Sequence, residues 1–149
     1  MTAKHPQNPL ERILERNTGI PRSITFTIHG ELCDLNTYIT AERSNRFIAS
    51  KIKKEETERV AWEAKAAGLR PVKDYPVYLT YRWYSKNNRK DLDNTCFSRK
   101  FVQDGLVQAG VLKGDGRKYV AGFADHFFID KVYPRVEVEI ITHSLATRV

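Results

Sequence analysis

The chain has 149 residues, 41% hydrophobic and 29% charged, with seven Tyr, seven Phe and two Trp. That is enough apolar material for one domain whose core needs neither metal nor disulfide staples, and it excludes the low-hydrophobicity composition of chains that stay disordered. A formal net charge of +7 and a sequence pI of about 9.5 suit an acidic polymer or surface as partner, nucleic acid first, but on charge alone the plainer account of a protein that merely happens to be basic has similar weight.

Residues 1–22 read as an arm. Asn8-Pro9 opens a short helix through PLERILER, with Leu10, Ile13 and Leu14 on one side and Asn17-Thr18-Gly19 as its stop. The arm has no apolar h-region, and no stretch of the chain approaches the roughly 20 apolar residues of a membrane span, so the expectation is a soluble protein of the cytoplasm. Residues 23–149 then form a single domain. Ile24, Phe26 and Ile28 alternate with Thr25 and Thr27, the period of a half-buried strand ending at Gly30. Leu35 to Ala67 contains no Gly or Pro and reads as one long helix or two in succession, with Tyr38, Ile39, Phe47, Ile48, Ile52, Val60 and Ala64 as its apolar stripe. Gly68 and Pro71 end it. Tyr75 to Tyr84 is aromatic and β-branched, a strand. KNNRK follows as a loop, and Asn94 to Ala109 is a helix turning Phe101, Val102, Leu106 and Ala109 to a core, with Gly110 in the C′ position. Two strand-like runs, HFFID and VEVEII, flank KVYPR. This order predicts an α+β fold, a small mixed β-sheet flanked by helices, whose last two strands pair as a hairpin.

Cys33 and Cys96 stand in neither a CxxC nor a zinc-type spacing and read as ordinary thiols of a reducing compartment. His5, His29, His126 and His143 form no HExxH or HxH pair. Without a Walker loop, GxGxxG or GxSxG, nucleotide hydrolysis, dinucleotide redox and acyl transfer have no support, and no nucleotide cofactor is expected.

The positive charge is clustered. Arg43, Arg46, Lys51, Lys53 and Lys54 occur with no acid among them, and Arg82, Lys86, Arg89, Lys90, Arg99 and Lys100 surround only Asp91 and Asp93. Phosphate contact and a solvated helix face explain the first cluster about equally well. In the second, an extended KDLDN turns both carboxylates to one side, where Arg89, Lys90 or a bound Mg²⁺ relieves their repulsion. The plainer account makes Asp93 a helix N-cap and Asp91 an exposed neighbour. If the helix begins at Asp93-Asn94, positions 93, 97, 100 and 104 share a stripe, and Lys100 extends back toward the aspartates; the plainer alternative is an ordinary Lys100–Asp104 surface pair. Asp115, between two glycines, is either a turn residue or a third carboxylate. Three acids on Mg²⁺ in a basic surround suit phosphodiester hydrolysis, with a lysine helping the leaving oxygen.

The run D91-L-D93-N94, K100, D104-G-L, A109-G110-V-L and D115 resembles the RusA family of Holliday-junction resolvases, particularly its longer phage and prophage versions, from about Ser23 through the VEVEI strand. The resemblance implies a small homodimeric endonuclease of the bacterial cytoplasm, dependent on Mg²⁺ or Mn²⁺, that nicks four-way DNA junctions symmetrically in recombination, repair or phage DNA processing. By position it makes Asp91, Asp93 and Asp115 the metal carboxylates and catalytic acids, Lys100 the catalytic lysine, and Lys90 the basic residue before the pair. The chain departs from the short prototype at two points: the lysine there follows the second Asp by four residues, where this chain has Phe97, and an acidic pair stands where this chain has Gly114-Asp115. Branched DNA is the expected partner, with Arg89, Lys90, Arg43, Arg46, Lys51, Lys53 and Lys54 as its contacts. A two-fold junction calls for a C2 dimer, with YPVYLTYRWY or the N-terminal arm as the dimer surface. Two other readings stay open: a DNA-binding protein without catalysis, and a nuclease for flaps or forks.

Overall fold

Alternation of apolar and polar side chains builds the strands. In VEVEII, Val136, Val138 and Ile140 are buried while Glu137 and Glu139 are not; in SITFTI, Phe26 and Ile28 are buried while Thr25 and Thr27 are not. A computed structural model of the protein describes residues 8–10 and 22–142. Of the expected arm helix only Pro9 and Leu10 fall within that range, both helical; the rest of that reading, with His5 and His143, lies outside the described residues. The elements are β1 (Arg22–His29), α1 (Leu35–Ser44), α2 (Arg46–Ala66), β2 (Val77–Ser85), α3 (Leu92–Cys96), α4 (Arg99–Gln108), β3 (Val120–Ile129) and β4 (Arg135–Thr142). No described helix is long and apolar enough to cross a membrane.

The four strands form one mixed sheet in the order β1-β4-β2-β3. β4 is antiparallel to both β1 and β2, and β2 is parallel to β3. The α+β class expected from the sequence is therefore present, but the hairpin between the last two strands is not. Parallel pairing of β2 and β3 uses the crossover through α3 and α4, so β3 occupies the outer side of β2 and β4 must reach its inner side. Residues 130–134 make that step across two strand spacings, roughly 10 Å, over the end of β2. Asp130 builds the crossing: its N–H donates to the Ser85 carbonyl at 2.8 Å, and its carboxylate accepts from the Val132 and Tyr133 amides and from Arg135. The strand YPVYLTYRWY is thus internal, with Leu79 and Tyr81 fully buried, and it offers no free edge to a second chain.

One face of the sheet buries Phe26, Ile28, Leu79, Tyr81, Val138 and Ile140 against Val60 and Ala64 of α2 and Val102 and Leu106 of α4. Leu35 to Ala67 is two helices, because Asn45 leaves the helical conformation (φ −164°, ψ 120°). Its N–H closes α1 on the Ala41 carbonyl, and its side chain caps α2 by accepting from the Phe47 amide at 2.8 Å. The break resets the helical phase, so Phe47 and Ile48 of the expected apolar stripe point to solvent while Val60 and Ala64 remain inside. The helix expected over Asn94 to Ala109 is likewise two, interrupted at Phe97-Ser98, where the buried Ser98 hydroxyl donates to the Cys33 carbonyl at 2.6 Å.

Gly105 is where α4 meets α2 most closely. A Cβ there would lie 2.5 Å from Val60 Cγ1 and 3.0 Å from the Thr57 carbonyl oxygen. Val60 is fully buried and cannot move aside. Alanine gains about 1 kcal/mol in helix propensity over glycine, whereas overpacking a filled core costs roughly 1–3 kcal/mol. Gly105→Ala is therefore expected to lower the urea midpoint despite its better propensity, and an unchanged or raised midpoint would contradict this packing.

Candidate functional site

The KDLDN stretch is held from both sides by the start of α1. Lys90 pairs with Asp34 at 2.9 Å. Asn94 Oδ1 accepts from the Asn36 amide at 2.8 Å, and Ser98 bonds to Cys33. Asp34 is itself the N-cap of α1, accepting from the Thr37 amide at 2.7 Å. Partial burial opposes ionisation of Asp34, but the Thr37 hydrogen bonds and Lys90 outweigh it and hold the carboxyl below its ordinary value. Residues 90–98 are therefore tied by three polar contacts to residues 33–36.

Asp91 and Asp93 lie between those ties, and both are exposed. Asp91 occupies the N-cap position of α3 in an extended conformation, yet its side chain makes no capping hydrogen bond. Asp93 is in the first turn rather than at the cap, so helix replaces the extended geometry that would set the two carboxylates on one side. Among the described residues neither carboxylate has a hydrogen bond or an ion pair. The stretch is fixed, and its two acids are left unused by the fold.

Lys100 does not reach back to this pair. Its Nζ lies 3.0 Å from Asp104 Oδ1 and 3.3 Å from Asp115 Oδ2, joining the GDG loop to α4. The Asp104 hydrogen bond, against partial burial and with help from Asp115, raises the Lys100 pKa. Partial burial works against the Asp115 anion, but Lys100 overcomes it and holds that carboxyl below its ordinary value. Asp115 is thus more than a turn residue: it is half of a two-acid clasp on one ammonium. Phe97, where the short prototype has its lysine, packs its ring 5.4 Å from Tyr38 and 5.6 Å from Phe101.

The basic cluster around the aspartates divides on inspection. Arg82 pairs with Glu139 at 3.6 Å, Lys90 with Asp34, Lys100 with two acids, and Arg99 with Asp125 while its guanidinium covers the Phe123 ring at 4.2 Å. Asp125 also accepts from Trp83 Nε1 at 2.8 Å, so Arg99 and Asp125 seat α4 on the sheet. Lys86 and Arg89 remain exposed and without an ion pair among the described residues. Lys113, Arg117 and Lys118, which flank Asp115, are exposed too, and the string KGDGRK is the sequence signal that marks them. Arg43, Arg46, Lys53 and Lys54 are exposed around the bend between α1 and α2, and Lys51 is 3.8 Å from Glu55.

Cys33 and Cys96 are free, and burial, reinforced by Glu56 and Asp34, pushes the Cys33 thiol up to about 11, so it is no thiolate nucleophile. Among the described residues no group of three or more His, Cys, Asp or Glu converges as a ligand set. Asp91 and Asp93 nevertheless offer what Mg²⁺ takes: hard oxygen donors, unengaged, where one or two carboxylates suffice beside water and phosphate oxygens. No protein-family model matches the chain, and no curated protein matches it.

Proposed function

We propose that the protein is a metal-dependent, structure-specific endodeoxyribonuclease of RusA-like type that resolves four-way DNA junctions as a homodimer. The observation that carries this reading is the pair Asp91 and Asp93, anchored through Lys90 and Asn94 yet with no side-chain partner among the described residues. Two exposed acids of one sign on a fixed segment, in a chain of net charge +7, serve the fold poorly and a cation well.

Asp91 and Asp93 would hold Mg²⁺ or Mn²⁺; Asp115, the third acid that the resemblance implies, is held on Lys100 and does not converge with them in a ligand set. When bound, such an ion activates water and neutralises charge on the phosphate. Lys100, like any lysine near its ordinary value, is an ammonium throughout the neutral range, and Asp104 shifts it further that way, so its role is to donate to the leaving oxygen, not to abstract a proton. Lys86, Arg89, Lys113, Arg117 and Lys118 are exposed cations on the segments that carry the acids, suited to phosphate contacts. Arg43, Arg46 and Lys53 add a second basic surface. If six of these eight cations contact phosphates, junction affinity is expected to fall by about 10³-fold or more between about 50 and 200 mM salt; a flat salt response would argue against this surface.

Rates on a four-way junction, a flap and a linear duplex test the substrate. Fastest cutting of the junction supports resolution, and fastest cutting of the flap moves the activity to other branched DNA. The clasp of Lys100 on Asp115 favours a second reading, a DNA-binding protein without catalysis, in which these acids brace basic side chains. Metal-independent binding with no cutting of any branched DNA would select it.

A further inference from the structure

The outward face of α2 carries a pattern the candidate site does not use. Phe47, Lys51, Lys54, Glu58 and Trp62 recur at spacings of four, three, four and four, one stripe of a 3.6-residue helix, and Glu55 borders it. The buried residues Ala49, Val60 and Ala64 lie on the other side. Phe47 is 72% and Trp62 66% exposed, with Ile48 beside them at 48%. At 1.5 Å per residue the two aromatic rings stand about 22 Å apart on one well-formed helix. Large aromatics held in water at both ends of a helix face mark a surface that meets another molecule.

The charge order identifies which molecule. Read toward the C-terminus, the face runs aromatic, cation, cation, anion, anion, aromatic: Phe47, Lys51, Lys54, Glu55, Glu58, Trp62. Each residue has a complement at equal distance from the midpoint between residues 54 and 55. A second copy of the helix, reversed about a two-fold axis through that midpoint, would set Phe47 against Trp62, Lys51 against Glu58 and Lys54 against Glu55, each twice. We propose that α2, paired antiparallel with α2 of a second copy of this chain, is the interface of the homodimer. A parallel pairing would oppose Lys51 to Lys51 and Glu58 to Glu58, so the charges also fix the direction. Within one chain these groups are little engaged: Lys51 and Glu55 form only an exposed i,i+4 pair at 3.8 Å, and Lys54 and Glu58 have no ion pair among the described residues. The interface takes Lys51 and Lys54 away from DNA. It does not depend on the nuclease reading and holds whether or not the protein cuts.

Sedimentation velocity on the full chain over a wide concentration range tests it. Wild type is expected to form a dimer, and Trp62→Ala to shift it to monomer. Lys51→Glu puts Glu against Glu58 twice, and Glu58→Lys puts Lys against Lys51 twice, so each alone should weaken association at least tenfold. An equimolar mixture of those two variants restores opposite charges at both contacts, and its association should return to the wild-type level, which also establishes that both variants fold. A wild type that stays monomeric, a dimer indifferent to these changes, or a mixture that remains dissociated would overturn the proposal.

Discussion

Asp93→Asn is expected to abolish cleavage of a four-way junction while leaving junction binding equal or tighter. The substitution keeps the side-chain shape, and among the described residues the Asp93 carboxylate has no hydrogen bond to lose, so the fold has no stake in its charge. What changes is the donor strength offered to a cation and the repulsion offered to DNA phosphates. Loss of even an outer-shell partner of a metal costs about 10–100-fold, so loss of a direct ligand should exceed ~100-fold in rate. Removing one negative charge from a surface that faces a polyanion acts in the opposite direction on affinity. Weakened binding with normal cleavage would contradict the assignment of Asp93.

Lys100→Gln is the second large effect. In the wild type one ammonium lies between Asp104 and Asp115, and without it two carboxylates face each other unneutralised. The lowered Asp115 pKa means that its favourable contribution is fully present above the ordinary carboxylate value and is lost as pH falls through the lowered one. The raised Lys100 pKa means that its own contribution persists below the ordinary lysine value and is lost only as pH rises through the raised one. The clasp is therefore constant across the neutral range in the wild type. In Lys100→Gln, Asp115 takes up a proton at higher pH, so the acid limb of the pH–rate profile should move upward. Loss of a positioned proton donor lowers the rate by about 10²–10⁴-fold. A fall in rate with an unmoved acid limb would reduce Lys100 to a structural cation, and an unchanged rate would remove it from the mechanism.

Much of the scaffold could be read from the chain because its signals are local. Alternation in ITFTI and VEVEII locates β1 and β4, and Gly110 in the C′ position adopts the positive φ, 76°, that the residue type permits. The misread elements depend on partners distant in sequence. Nothing within HFFID or VEVEII tells that β2 lies between them, since strand order is decided by the crossover through α3 and α4. Ser98 interrupts the helical pattern expected over Asn94 to Ala109 because its hydroxyl takes up the Cys33 carbonyl, 65 residues away, and helical periodicity is blind to it. At the candidate site the residue types were legible and the partners were not. Lys90, Asn94 and Lys100 stand out in the sequence, but Asp34, the Asn36 amide and Asp115 as their partners follow only from the fold. Arg99 stands in the sequence only as one cation of a cluster, and its partner Asp125 on β3 follows from the fold.

The most direct measurement is cleavage of an end-labelled four-way junction by the wild-type protein, with Mg²⁺ or Mn²⁺ and with EDTA, read strand by strand. The account predicts symmetrically paired nicks in two opposed strands when metal is present and none with EDTA. Tight binding with no nick in any strand under either condition would contradict it, leaving Asp91 and Asp93 outside any active site and the protein a DNA-binding module.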